Sequence, residues 1–309
     1  MVEAAPLWSV LVLPVVLAAL ALGAASLDAV LAARTAGRAP VRAAMAEPLR
    51  EVARLLVQQR RTTLAPDAVL WRLGGASVLV AAVLAAMVIP LGRHAVSDLA
   101  VGVVWFNAME VIVWAALWLA GWGANSAYPL IGGYRFLAQA LAYELPHMIA
   151  LITAALGAGS LRVGQLVAAQ ADLWFVVWMP AAFAVYLVSA LAMSFWGPFD
   201  QPVQEDVAGG VTAELAGADR LVFVAGRYLL LTTAAAFAVP LFLGGGHGPL
   251  LPPWLWSLVK TAAVLGVLVW SRRRLPTIRM DRFEEVAWVV LLPLALVQLL
   301  AAALVVLVR

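Results

Sequence analysis

The residues of this chain best placed to do chemistry are ionisable side chains set deep inside apolar runs. Glu110 stands in FNAMEVIVW, Glu144 in ALAYELPHM, Arg227 in VAGRYLL and Lys260 in WSLVKTAAV, while Asp98 and Arg135 mark the mouths of such runs. A charge carried into hydrocarbon costs roughly 2.5–3.5 kcal/mol on insertion scales unless it faces a bundle interior or water. A buried carboxylate that can take up a proton is a relay station; the same carboxylate bonded to Arg227 or Lys260 is a pin between two helices. Residue type leaves both readings open for Glu144. Pro146, close behind Glu144, disturbs the local backbone hydrogen bonds. Glu110 carries the same pair of readings. His147, one turn below Tyr143, reads as a core histidine rather than a ligand.

These side chains must be positioned by membrane helices. Of 309 residues, 65% are hydrophobic and 12% charged, far from the roughly half apolar and quarter charged of a soluble domain. The apolar residues fall in runs of about twenty or more, enough to cross a hydrocarbon core of roughly 30 Å. Eight such runs are expected at 6–33, 73–92, 98–122, 134–158, 172–196, 217–244, 251–271 and 285–308. The first is too long for a signal peptide and reads as a retained span. The fold class expected is an all-α membrane protein, a single polytopic domain over 1–309 with about eight transmembrane helices and an amphipathic interfacial helix after the first. That helix is 41–60, where Met45, Leu49, Val52, Leu55 and Leu56 share one face and Arg42, Arg50, Glu51 and Arg54 fall largely on another.

Arginine sets the orientation. Arg34, Arg38, Arg42, Arg50, Arg54, Arg60, Arg61 and Arg72 follow the first span, and Arg272, Arg273, Arg274, Arg279 and Arg282 the seventh. The positive-inside rule places these loops in the cytoplasm and both termini outside. The net charge of +3 is therefore a topology signal, and nucleic acid is not an expected partner. The chain has no cysteine and three scattered histidines, so any metal or redox cofactor is expected in a partner rather than here. The stretch 197–216 (GPFDQPVQEDVAGGVTAELA) adds an acidic loop, with Asp200, Glu205, Asp206 and Glu214, to the basic face. A loop of that length between packed helices is either simply solvated or functional.

The run GWGANSAYPLIGGYRFLAQALAYELPHMIALI, Gly121 to Ile152, resembles a signature of the family of the membrane H subunit of respiratory complex I. In that family a Gly-Trp, a Ser/Asn-rich turn, a Tyr, a Gly-Arg turn, Ala-Gln and Ser-Tyr-Glu follow at this spacing. Here they are Gly121-Trp122, Asn125-Ser126, Tyr128, Gly133 to Arg135, Ala138-Gln139 and Ala142 to Glu144. Asp98-Leu99, Glu47 to Leu49, Pro198 to Asp200, Thr212 to Gly217, Phe242 to Gly245 and Leu275-Pro276 through Pro293 are similar to further family stretches.

The resemblance implies a redox-silent membrane subunit of a proton-translocating NADH–quinone oxidoreductase in the cell membrane. Its partners would be the other subunits, which hold the iron–sulfur clusters, and membrane lipid; quinone would be the substrate of the complex. Carried over, Glu144 would be a proton-path carboxylate; Glu110 and Asp98 are further candidates for that path, read from the residues themselves. Arg135 would sit near the quinone chamber, and Asp200, Glu205, Asp206 and Glu214 would form the coupling loop. Three departures stand out. The family's Gly-Pro-Asn-Arg-Val-Gly segment is replaced in ARTAGRAPVRAAM (33–45), a carboxylate of span six is replaced by Arg227, and Glu110 stands where a small residue is usual. The altered segment favours an alternative, the homologous membrane component of an energy-converting [NiFe] hydrogenase or related ferredoxin-linked complex. A standalone transporter would use the same buried charges, but no internal repeat of the transporter kind is apparent.

Overall fold

Backbone N–H and C=O groups in hydrocarbon must bond within their own segment, so the long apolar runs become helices. The computed structural model describes residues 2–6, 8–37, 40–204 and 209–308. Glu205 and Asp206 of the expected coupling loop lie outside the described residues. The helices are α1 (Ser9–Ala36), α2 (Val41–Met45), α3 (Glu47–Val57), α4 (Ala68–Ala86), α5 (Gly102–Gly123), α6 (Ala127–Ala158), α7 (Val163–Ala169), α8 (Phe175–Trp178), α9 (Pro180–Met193), α10 (Gly217–Phe242), α11 (Pro253–Ser271), α12 (Met280–Val286) and α13 (Leu292–Val308). A two-residue strand β1 (Glu3–Ala4) pairs in parallel with β2 (His94–Ala95).

Among the described residues seven helices are long and apolar enough to cross a membrane, the last being 280–308, where α12 runs into α13 through a π-helical turn. The fold is thus the expected all-α membrane bundle, with one correction at the fifth span. Instead of one helix over 172–196, α8 and α9 meet at Met179, whose φ of −123° and ψ of 45° are not helical, and Pro180 opens α9. The break is satisfied from across the bundle. Gln298 of α13 donates to the Trp178 carbonyl at 3.2 Å and accepts from the Ala181 N–H at 3.3 Å. Two other helices start earlier than hydropathy places them. Asp67 caps α4 by accepting the N–H groups of Val69 and Leu70, both at 3.1 Å, so α4 begins at Ala68 rather than near 73. Likewise α6 begins at Ala127 rather than 134, which sets Glu144 near the middle of its helix.

The most enclosed helix is α10, packed against α1, α4, α9 and α11. Small residues allow the close crossings: a Cβ on Gly226 of α10 would lie 2.8 Å from the Leu79 nitrogen of α4. Among the described residues, one end of the bundle gathers the connections 40–67, 124–126, 194–204, 209–216 and 272–279; the other gathers β1, β2, and the loops 159–162 and 243–252. The amphipathic segment forms as two pieces, α2 and α3, bent at Ala46. Leu55 is buried beside α1 and α10, while Met45, Leu49 and Leu56 stay exposed as an interfacial helix requires.

Candidate functional site

The polar centre of the bundle lies between α5 and α6. Glu110 of α5 and His147 of α6 are 2% and 0% exposed, and His147 Nε2 stands 3.0 Å from Glu110 Oε2. The atoms are at hydrogen-bond distance but off its axis, so neither oxygen of Glu110 and neither nitrogen of His147 has a well-directed hydrogen bond among the described residues. One turn along α6, Glu144 Oε1 accepts from Asn107 Nδ2 at 3.0 Å, and its enclosed Oε2 has no directed partner there. Tyr143, fully buried, accepts the Trp114 indole N–H at 3.2 Å. The His147 ring lies 5.4 Å from that of Tyr186, whose hydroxyl is tied to the Ala234 carbonyl at 2.7 Å. Two carboxyls and an imidazole in this setting can hold and pass protons.

The two cations expected as pinning partners are elsewhere. Arg227 donates to the Phe195 carbonyl at 2.5 Å and lies 4.8 Å over the Trp196 ring, with Arg272 also 4.8 Å from that ring. Lys260 donates to the carbonyls of Leu243, Gly245 and His247 at 2.6, 3.0 and 2.7 Å. Those carbonyls close the C-terminal end of α10, where a cation complements the helix dipole. Neither cation pairs with Glu110 or Glu144.

Asp98 sits at the end of the bundle that carries β1 and β2, away from Glu144. Its carboxylate accepts the Gly164 N–H at the start of α7 at 3.1 Å and meets Arg162 at 3.4 Å. On the same end, burial and then the charges of Lys260 and Arg93 push the His247 imidazole below its ordinary range.

At the opposite end the described parts of the 194–216 loop, 194–204 and 209–216, fold back into the bundle. Gln139 donates to the carbonyls of Ala192 (2.7 Å) and Phe199 (3.2 Å), and Arg135 donates to those of Gln201 (3.4 Å) and Gly209 (2.9 Å). Arg135 therefore clasps the loop. Asp200 receives Gln204 at 2.7 Å and lies 3.9 Å from Arg272, and Glu214 receives Ser126 at 3.1 Å. Beside them Asp28 of α1, 5% exposed, is bonded by Arg272 at 2.7 Å and by Arg273 at 2.6 and 3.0 Å. Asp28 and Tyr228 also edge a cavity of about 350 Å³ between α1, α3 and α10, walled by apolar side chains such as Leu22, Ala25, Leu55 and Val224.

Three participants escape a reading of the sequence. Asp28 is hidden in the first apolar run, Asn107 is uncharged, and His147 looks like plain core although Glu110 lies against it. For Asp28 the available signal is a carboxylate in the last third of a span, opposite an arginine-rich loop.

Comparison with known proteins decides the lineage. The family model described as NADH dehydrogenase matches residues 7–303. The chain belongs to that family. One NADH-quinone oxidoreductase H subunit of Geobacter metallireducens is 36% identical over 274 residues, covering 85% of this chain and 83% of the relative. A second-form H subunit of the same kind of enzyme, from Geobacter sulfurreducens, is 37% identical over 265 residues, covering 82% and 80%. The corresponding H subunit of Geobacillus kaustophilus is 33% identical over 261 residues, covering 82% and 78%. The family match runs from the start of α1 into α13.

Proposed function

We propose that this chain is the redox-silent membrane subunit of a proton-translocating NADH–quinone oxidoreductase, in which Glu144 is an early station of the proton path. The observation that carries the reading is the bonding state of Glu144: mid-helix, partly enclosed, held among the described residues by Asn107 and paired with neither Arg227 nor Lys260. A carboxyl that is oriented but not neutralised can exchange a proton; one locked to a guanidinium cannot do so cheaply. Glu110 extends the path and Asp98 marks its far end. The basic loops face the cytoplasm, and both termini face outward.

The cavity beside Asp28 and Tyr228 supports the quinone part of the reading. Its apolar walls suit an isoprenoid tail, and its polar edge suits a quinone ring oxygen. The described parts of the 194–216 loop reach from Asp200, near the Arg272 that bonds Asp28, to Arg135 of α6, and on this reading the loop couples the cavity to the proton path. The iron–sulfur clusters belong to partner subunits. The replaced 33–45 segment favours the homologous membrane component of an energy-converting hydrogenase as a second reading.

Glu144→Gln tests the proposal in membrane vesicles carrying the intact complex. Proton uptake driven by NADH falls on the order of a hundredfold with the complex still assembled. Uptake at the parental rate overturns the proton role, and a parental complex that ignores NADH but accepts electrons from ferredoxin favours the second reading.

A further inference from the structure

The pairing of Glu110 with His147 is not required by Glu144, and it has the marks of a working site. We infer that Glu110 and His147 together form a second proton-holding site, in which one proton is shared between a carboxylate and an imidazole beside Glu144. The inference rests on the proton-path reading of Glu144 and adds to it a device built from two helices.

Enclosure is the first argument. Glu110 and His147 are 2% and 0% exposed, so solvent does not balance their charges. The charged groups facing His147 are Glu110 from α5 and Glu144 from its own helix. From α9 the neighbour is Tyr186, whose hydroxyl is committed to Ala234, and from α6 there is also Tyr143. Glu110, Glu144 and His147 thus share one enclosed space, two of them carboxylic acids and one a base.

Charge counting follows. The neutral arrangement has His147 protonated, Glu110 ionised and Glu144 protonated, and it holds two movable protons. Moving a proton from His147 Nε2 to Glu110 Oε2 breaks an N–H bond and forms an O–H bond. Both charges of the pair vanish and the net charge of the site is unchanged. Such a transfer crosses 3.0 Å without creating a new buried charge, the costly event in a medium of low dielectric. Departure of the Glu144 proton leaves a net negative charge on the site, which moving the pair's proton between Glu110 and His147 redistributes but does not remove.

Bonding is the independent argument against a pin. Two other buried charges of this protein are saturated: Lys260 places its ammonium on three carbonyls, and Asp28 takes two guanidiniums. In contrast, both oxygens of Glu110, both nitrogens of His147, Glu144 Oε2 and Asn107 Oδ1 are enclosed without directed hydrogen bonds among the described residues. Polar atoms so placed in native proteins mark sites of ordered water or of catalytic exchange.

The test compares four variants of the intact complex in NADH-energised vesicles, each scored for assembly and for initial proton uptake: Glu110→Gln alone, Glu144→Gln alone and two double variants of the pair. Glu110→Gln with His147→Gln keeps two polar side chains able to bond each other, so it preserves a pin but not a proton carrier. Its proton uptake falls at least on the order of tenfold, while the exchange Glu110→His with His147→Glu keeps uptake within about twofold of the parent. Parental uptake in the double glutamine variant overturns the inference. Glu144→Gln runs alongside: if it alone blocks uptake, only the pair fails, and if neither blocks uptake, the proton-path reading fails with it. Should the double variants not assemble, infrared difference spectra of the parent and of Glu110→Gln on NADH addition decide the matter. A carboxyl band that changes in the parent and is missing in the variant supports the shared proton; identical spectra refute it.

Discussion

Lys260 and the Glu110–His147 pair are buried to a similar degree and treated in opposite ways. Lys260 is 7% exposed, yet each of its three N–H donors has a carbonyl, and the Trp174 ring lies 3.9 Å from its nitrogen. Glu110 and His147 meet at 3.0 Å off the hydrogen-bond axis, and the Tyr143 hydroxyl also lies beside Glu110. The first arrangement holds still: the cation closes α10 and anchors the 243–252 loop. The second leaves enclosed polar atoms without directed partners among the described residues, the bonding state that a proton-exchanging pair requires. On the proposed reading, saturation rather than burial separates Lys260 from the Glu110–His147 pair.

On this contrast, breaking a saturated site costs stability and little else. Lys260→Met, which keeps the length of the side chain, strips three carbonyls of their donor and lowers stability by on the order of 3 kcal/mol, seen as a fall in Tm and in yield of assembled complex. Gln298→Leu unpairs the Trp178 carbonyl and the Ala181 N–H at the break in the fifth span. Its cost is smaller, about 1–2 kcal/mol, because membrane hydrogen bonds contribute less on average. Hydrogen exchange at Ala181 should rise in the same variant.

Smaller effects come from groups at the edges of the membrane. His247 is held below its ordinary pKa by burial, Lys260 and Arg93, so the folded protein takes up its proton less readily than the unfolded chain. Its contribution is complete above about pH 6.5, the unfolded value, and is lost as pH falls from there through the lower folded-state pKa. Thermal unfolding of the parent therefore shows a slight loss of Tm on acidification that His247→Gln removes. The smallest effect belongs to α3. Glu51 is held below the usual carboxylate range chiefly by a hydrogen bond from Arg54, a contribution present at neutral pH and lost on acidification. The pair is exposed, and Glu51→Gln leaves Tm unchanged within error.

Most of the fold is legible in the sequence because lipid imposes a length and a polarity that hydropathy reads directly. The errors come from polar residues that act outside the apolar runs or across them. Asp67 extends α4 beyond its apolar run, and α6 likewise begins ahead of its own run. The break at Met179 is concealed because Pro180 is an ordinary first residue of a helix and its remedy, Gln298, is far along the chain. Glu144 is legible as a buried carboxylate, but the cations that could pin it are not placed by sequence. Arg227 and Lys260 bind backbone carbonyls, acceptors that every residue carries and that residue type therefore cannot single out. Glu110 and His147 lie on different helices, and no periodicity within either helix announces that they meet.

Proton uptake per assembled complex, measured in NADH-energised vesicles for Glu144→Gln and Lys260→Met side by side, tests the contrast most directly. Glu144→Gln should assemble at the parental level and pump almost nothing; Lys260→Met should assemble poorly, with each surviving complex pumping at the parental rate. Parental pumping by Glu144→Gln, or a well-assembled Lys260→Met that does not pump, would contradict the account.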